Sequence, residues 1–596
     1  MQIASNLRRW FLLCTLVALP GGLAHAQTPL ETFYDAFTDE WMRANPDMAI
    51  FNAYFSGEEQ DRIERELTPL TRAHVQASIA RAQRGLEGLV QHDIATAPST
   101  LRVSGEVMRW QLETLVEGDR WADYVYPLQQ MSGANVNLVN QLTVVHPMRA
   151  ARDAESYVAR LGQMAERMRE ATAESARRAA AGILPPDFIL DATITQMERF
   201  IEPAPADNPL STTLAQKSAG LADLAPDARE TLLAKAVETV ADSIYPAWRE
   251  AIAELRQQRT RATADAGVWR FENGADMYAY QLRRFTSTDL SAETIHEIGL
   301  REVERIETQM DALLRELGMT EGSVKERVEQ LKKQLAYPDT DEGHARLMAD
   351  IETYMRDAEA RAVHYFDNRP KAPVIAQPYP RFRWANAAAS YTAPPRDGSR
   401  PGVFQMPLRP DRLTNFALRT LTYHETVPGH HFQIALVSED PNLPRFMQTR
   451  AFGGVSASSE GWALYAEQLA VEAGWYEGDI TGLLGQLDAA LFRARRLVVD
   501  TGLHAKRWTR QQAIDYGISP SEVDRYVVNP GQACSYMIGK LRILDLREQA
   551  RAQLGEAFSL QEFHNVVLGL GVVPLTVLDQ EVARYIAARQ AAAAAG

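Results

Sequence analysis

Long apolar stripes at helical spacing constrain this chain more than any other feature. In "DAESYVARLGQMAERMREATAESARRAAAG", Tyr157, Leu161, Met164 and Met168 recur every three or four residues, and Gly182 with Pro185 and Pro186 closes the element. "LSAETIHEIGLREVERIETQMDALLREL" repeats the pattern through Ile295, Ile298, Ile306, Met310 and Leu313. Such stripes are core faces, and the Glu and Arg residues between them form a solvated face. With 596 residues, 46% of them hydrophobic, the chain can bury a large core around these helices. A mainly α fold is the expectation.

One stretch departs from the pattern. "RPKAPVIAQPYPRFRWANAAASYTAPPRDGSRPGVFQMPLRP", residues 369–410, is dense in Pro and Gly and holds short β-prone pieces such as "APVIAQ" and "GVFQM". It reads as a small sheet with loops, leading into a helix that carries the most reactive-looking residues of the chain. The expected organisation is a helical amino-terminal part over 27–270 and a second helical part over 271–590, with the alanine-rich end 591–596 frayed.

The first 26 residues have the pattern of a secretory signal: Arg8 and Arg9, an apolar run to about Leu19 that is too short to span a bilayer, then "AHA" ending at Ala26. "RRWFL" also matches a twin-arginine export signal. The expected location is periplasmic or secreted, with no stable membrane insertion once the signal is cleaved. Removal of Cys14 with the signal leaves Cys534 as the sole cysteine, which excludes an internal disulfide and a cysteine-rich structural zinc site. The net charge of −14 is spread in mixed sign, so nucleic acid is not an expected partner. "GVSAS" at 454–458 lacks the second glycine of a nucleophile elbow, and "GLGVVP" near 569 lacks a dinucleotide-binding context.

The chemistry concentrates in "LTYHETVPGHHFQ", residues 421–433. A zinc-binding H-E-x-x-H places its histidines four residues apart on one helical face, whereas here Pro428 stands at that position and His430 and His431 come after it. Leu413, Ala417 and Leu421 lead at helical spacing to His424, which puts His424 and Glu425 near a helix end. On an uninterrupted helix His431 would lie about 10 Å further along the axis and His430 would point elsewhere. A bulge or break at Pro428 and Gly429 is required to return either one to His424. "SSEGWALYAEQLA", residues 458–470, opens with a cap-like serine pair and presents Glu460 in its first turn, with Glu467 two turns on along the same face. Two histidines and the Glu460 carboxylate form a zinc ligand set with an open position for water, and Glu425 fits the base that takes the water's proton. Glu467 by itself reads as a supporting or surface carboxylate. Arg493, Arg495 and Arg496 could clamp a peptide carboxylate, but a solvated helix face is the preferred reading.

"HETVPGHHFQ", "EGWALYAEQL" and "NPGQACSYMIGKLRI" together resemble the bacterial family known as domain of unknown function number eight hundred and eighty-five. The resemblance extends through "FTDEWMRANPDMAIFNAY", "GADMYAYQLRRFTSTDLSAETIHEIGLREVERIE" and "DGSRPGVFQM", and so covers most of the chain. The family is regarded as zinc-peptidase-like and distantly similar to angiotensin-converting enzyme, thimet oligopeptidase and Taq carboxypeptidase. The resemblance implies a large helical metallopeptidase-like body, zinc as cofactor, and short peptides as substrates in an enclosed site. It assigns a ligand role to Glu460 and makes His504 and Tyr536 the residues that match carbonyl-assisting groups. "GHxxx" after the motif favours His430 as second histidine ligand, while "HFQ" supports His431. His430 is preferred, leaving the other to hold the ligands or bind substrate. A zinc amidohydrolase acting on a non-peptide amide or ester would use the same ligands. A metal-free binding protein would result if Pro428 and Gly429 destroyed the site.

Overall fold

A computed structural model describes residues 28–595 apart from 380, 382–383, 385–387, 395–397 and 399. The expected export signal over residues 1–26 therefore lies outside the described residues. Helices dominate, as their stripes foretell: Tyr157, Leu161, Met164 and Met168 are fully buried along the helix Ala151–Ala180, and Ile295, Ile306 and Met310 along Ala292–Glu316. None of these helices is long and apolar enough to cross a membrane.

Two helix pairs form the frame of the main core. Ala292–Glu316 runs along Ile480–Ala505, where Gly299 lets the backbones approach: a Cβ there would lie 2.8 Å from the Leu497 Cβ. Ser456–Glu472 runs along Ser535–Leu554, with Gly461 set against Gly539 for the same reason. This core also takes in Tyr34, Phe37, Trp41, Val107 and Leu112 from the first helices, so it is shared by residues on both sides of position 270. Residues 128–255 instead surround a core of their own, centred on Tyr157, Leu161 and Trp248. The last helix, Leu575–Ala595, continues through the alanine-rich end that composition marked as frayed. Alanine is the strongest helix former, and here it extends a helix already anchored by Leu575, Leu578 and Val582.

The expected β element is a three-stranded sheet. Its strands are β1 (Val374–Pro378), β2 (Ser390–Thr392) and β3 (Gly402–Met406), in the order β1-β3-β2, with β3 parallel to β1 and antiparallel to β2. Gly402, Phe404 and Met406 are buried in alternation, as the two-residue period of a strand requires. Phe404 and Met406 share a small core with Leu413 and Leu418, which fixes the sheet against the start of the helix carrying His424.

Candidate metal centre

The His424 helix spans Leu418–Glu425, beginning after Ala417, so Leu413 lies in the preceding loop rather than on the helix. It stops at Thr426, and a second helix, His430–Glu439, begins immediately after Gly429. Across the interruption the Gly429 amide donates to the Tyr423 carbonyl at 3.0 Å and the Phe432 amide to the Thr426 carbonyl at 3.3 Å. Each bond spans six residues instead of the α-helical four. The two residues added relative to H-E-x-x-H are thus absorbed in one wide turn, and His430 rather than His431 returns to His424. Gly429 is obligatory in that turn, because a Cβ would collide with the carbonyl oxygens of His424 and Tyr423. The Trp462 indole N–H donates to the Pro428 carbonyl at 2.8 Å and ties the turn to the neighbouring helix.

That neighbour, Ser456–Glu472, starts two residues earlier than the serine pair suggested. Ser458 and Ser459 lie inside it, and Glu460 sits in the second turn. Glu460 and Glu467, two turns apart on one face, bracket the His424 ring. The His424 Nδ1–H donates to Glu467 Oε1 at 2.7 Å, and Nε2 lies 3.7 Å from Glu460 Oε2. His430 Nε2 is 3.3 Å from the same Glu460 oxygen. One ligand atom from each of His424, His430 and Glu460 lies within 4.8 Å of the others.

These separations suit a metal. Ligands at zinc bond lengths of about 2.0–2.1 Å in a tetrahedral arrangement stand about 3.3 Å apart. Glu460 Oε2 is buried and, despite two imidazole nitrogens nearby, makes no aligned hydrogen bond. Atoms that converge without bonding one another are what a shared ion needs. Glu467 engages His424 Nδ1, so that Nε2 faces the cluster, the arrangement a carboxylate behind a metal-binding histidine would have. Burial works against charge on His424, yet Glu460 and Glu467 prevail and raise its pKa to about 9. Glu460 is likewise opposed by burial but held well below the ordinary carboxylate range by His430 and His424. Glu425, buried at the helix end, adjoins His424 in the chain.

Two expected site residues are elsewhere. His431 turns towards the sheet: its Nε2–H donates to the Ala372 carbonyl at 3.1 Å, and its Nδ1 accepts from the Tyr391 hydroxyl at 3.0 Å. Burial lowers its pKa to about 4, and both its nitrogens are engaged away from the His424, His430 and Glu460 cluster. His504 is a satisfied core histidine. Its Nδ1 accepts from the Val268 amide at 3.3 Å and its Nε2–H donates to the Tyr526 carbonyl at 3.0 Å, and burial again lowers its pKa to about 4. It cannot assist a substrate carbonyl from there. Tyr536 is the second residue of the helix Ser535–Leu554, which packs along that of Glu460, the Ser535 and Ser456 hydroxyls meeting at 2.7 Å. Its own hydroxyl accepts from Arg525 at 3.4 Å. Arg496, which a solvated face would expose, is buried and donates to the Tyr526 hydroxyl at 3.0 Å and Glu522 at 2.9 Å.

The family model "Bacterial protein of unknown function (DUF885)" matches residues 51–582. The chain belongs to this family. In fold and sequence it is similar to a crystal structure described as "the putative lipoprotein from Colwellia psychrerythraea", with 31% identity and a TM-score of 0.89 over 94% of this chain and 98% of that one. A "putative lipoprotein of unknown function from Shewanella oneidensis" shares the fold at 18% identity, with a TM-score of 0.68 over 93% and 99% of the two chains. No curated protein matches.

Proposed function

We propose that this DUF885 protein is an exported zinc-dependent peptidase that hydrolyses short peptides. The observation that carries the reading is the convergence of His424 Nε2, His430 Nε2 and Glu460 Oε2 within 4.8 Å, with Glu425 next to the first of them. Zinc bound by these three residues would polarise a substrate carbonyl and make a water acidic near neutral pH. Two histidines and one carboxylate leave a coordination position free for that purpose.

The remaining work falls to the chain. Glu467 holds the His424 ring so that Nε2 keeps its lone pair towards the cluster. Glu425 is the general base: its carboxylate accepts the proton of the attacking water and returns it to the leaving amine. Tyr536, on the helix locked against that of Glu460, is the hydrogen-bond donor offered to the carbonyl oxygen as it gains charge. His504 takes no part. Export is supported by the signal pattern of residues 1–26 and by the lipoprotein description of the Colwellia neighbour. An enclosed site, as the family resemblance implies, would favour short, flexible substrates over folded proteins.

The test is hydrolysis of a short-peptide library by the purified mature chain, before and after chelation and after zinc is restored. Cleavage lost on chelation and regained with zinc is expected. A zinc-loaded protein that cleaves no peptide overturns the reading.

A further inference from the structure

Beside the candidate centre four guanidinium groups gather around Glu467, Glu522 and Tyr536. Arg493 reaches Glu467 Oε1 at 3.9 Å, the oxygen already held by His424. One turn further along the same helix, the Arg496 guanidinium lies 4.4 Å above the Tyr536 ring. Arg525 approaches the Tyr536 hydroxyl and lies 3.5 Å from Glu522, which also accepts from Arg496 at 2.9 Å and from the Tyr526 hydroxyl at 3.0 Å. Arg412 joins from the loop before the His424 helix and interacts electrostatically with Arg493 and Glu522, while its own ion-pair partner, Asp411, is also engaged by Arg409.

The cluster holds donors that nothing answers. Arg493 Nε, Arg496 Nη1 and Arg525 Nε are buried and have no hydrogen-bond partner among the described residues. Arg496 itself is only 4% exposed, so its free donor is removed from bulk water. An unanswered guanidinium N–H in such a place is costly. Arg412, with 48% of its side chain exposed, is the member of the group that solvent reaches most readily. Planar guanidinium groups match carboxylates in geometry as well as charge.

We infer that the guanidinium cluster of Arg412, Arg493, Arg496 and Arg525 binds a carboxylate of the peptide substrate, beside the candidate metal centre at the Tyr536 side. The inference rests on the peptidase reading for the identity of the substrate, but the binding it describes can be measured without turnover. The carboxylate is either the peptide's free carboxyl terminus or an acidic side chain, and the two are separable.

The probe is an acetylated tetrapeptide titrated calorimetrically into the full-length mature Glu425→Gln variant. It is used as the free acid, as the carboxyl-terminal amide, and as the amide with one Gln replaced by Glu. The acid is expected to bind about tenfold or more tightly than the neutral amide, the range of a hydrogen bond to a charged group. Tight binding restored in the Glu-containing amide assigns the cluster to an acidic side chain, and tight binding of the free acid alone assigns it to the terminus. Arg412→Gln, at a half-exposed position, should reduce the difference severalfold while leaving amide binding unchanged, with the unfolding midpoint measured alongside to show that the variant is folded. In the wild type, the same substitution should raise KM for the acid with little change in kcat. Equal binding of acid and neutral amide, or no binding of either, overturns the inference. Absence of hydrolysis combined with a clear preference for the acid would overturn the peptidase reading alone.

Discussion

Two pairs of enclosed histidines, His424 with His430 and His431 with His504, differ in one respect. Around Glu460, His424 and His430 turn their Nε2 atoms towards a carboxylate oxygen that makes no aligned hydrogen bond. Around Ala372 and Tyr526, His431 and His504 have both ring nitrogens spent on backbone and hydroxyl partners. Burial alone does not separate the pairs, since His424, His431 and His504 are all at most 3% exposed. What separates them is whether a nitrogen is left over. The second partner of an imidazole, more than its position in a motif, marks a ligand.

The comparison can be broken most forcefully at the base. Glu425→Gln should lower kcat on short peptides by a factor of about 10²–10⁴ while zinc content stays at the wild-type level. Loss of both together would mean that Glu425 holds the site rather than serving it. Removing the support of one ligand should have a smaller effect: Glu467→Gln keeps the shape but weakens the hold on His424, and zinc affinity in competition with a chelator should fall about 10–100-fold. Unchanged affinity would reduce Glu467 to a packing residue.

The other pair should respond in stability alone. His504→Leu leaves the Val268 amide and the Tyr526 carbonyl without partners, and should cost about 1–3 kcal/mol in denaturant unfolding with zinc content intact. Its titration gives a finer check. The folded state holds His504 neutral down to about pH 4, against 6.5 for the free group, so the unfolded chain binds the extra proton in that window. The stability contributed by neutral burial is complete above about pH 6.5 and declines as pH falls towards 4. The slope is at most about 1.4 kcal/mol per pH unit for this single group. His504→Leu should flatten the pH dependence of unfolding in that window, and an unaltered slope would contradict the assignment.

Much of the body was legible because burial tracks helical period: the Tyr157 and Ile295 stripes are core faces, and "GVFQM" is the central strand of the sheet. Glu460 and Glu467 could be set on one face by their spacing alone, and both reach His424. The path through Pro428 and Gly429 was not legible, because a helix break leaves the direction of the next segment open. The choice of His430 over His431 depends on the two six-residue hydrogen bonds and on the anchoring of Pro428 by Trp462. The partners of His504 were hidden for a related reason: Val268 and Tyr526 lie 236 and 22 residues away in the chain. Arg496 misled because charge suggests solvent, whereas stacking on Tyr536 and pairing with Glu522 allow a guanidinium to be buried.

The most direct measurement is zinc per chain, by elemental analysis, in wild type, His430→Ala and His431→Ala purified side by side as the mature protein. Near-stoichiometric zinc in the wild type and His431→Ala, falling sharply in His430→Ala, is the predicted result. Zinc lost from His431→Ala but retained by His430→Ala, or absent from all three after reconstitution, would contradict the assignment of His424, His430 and Glu460 as a metal centre.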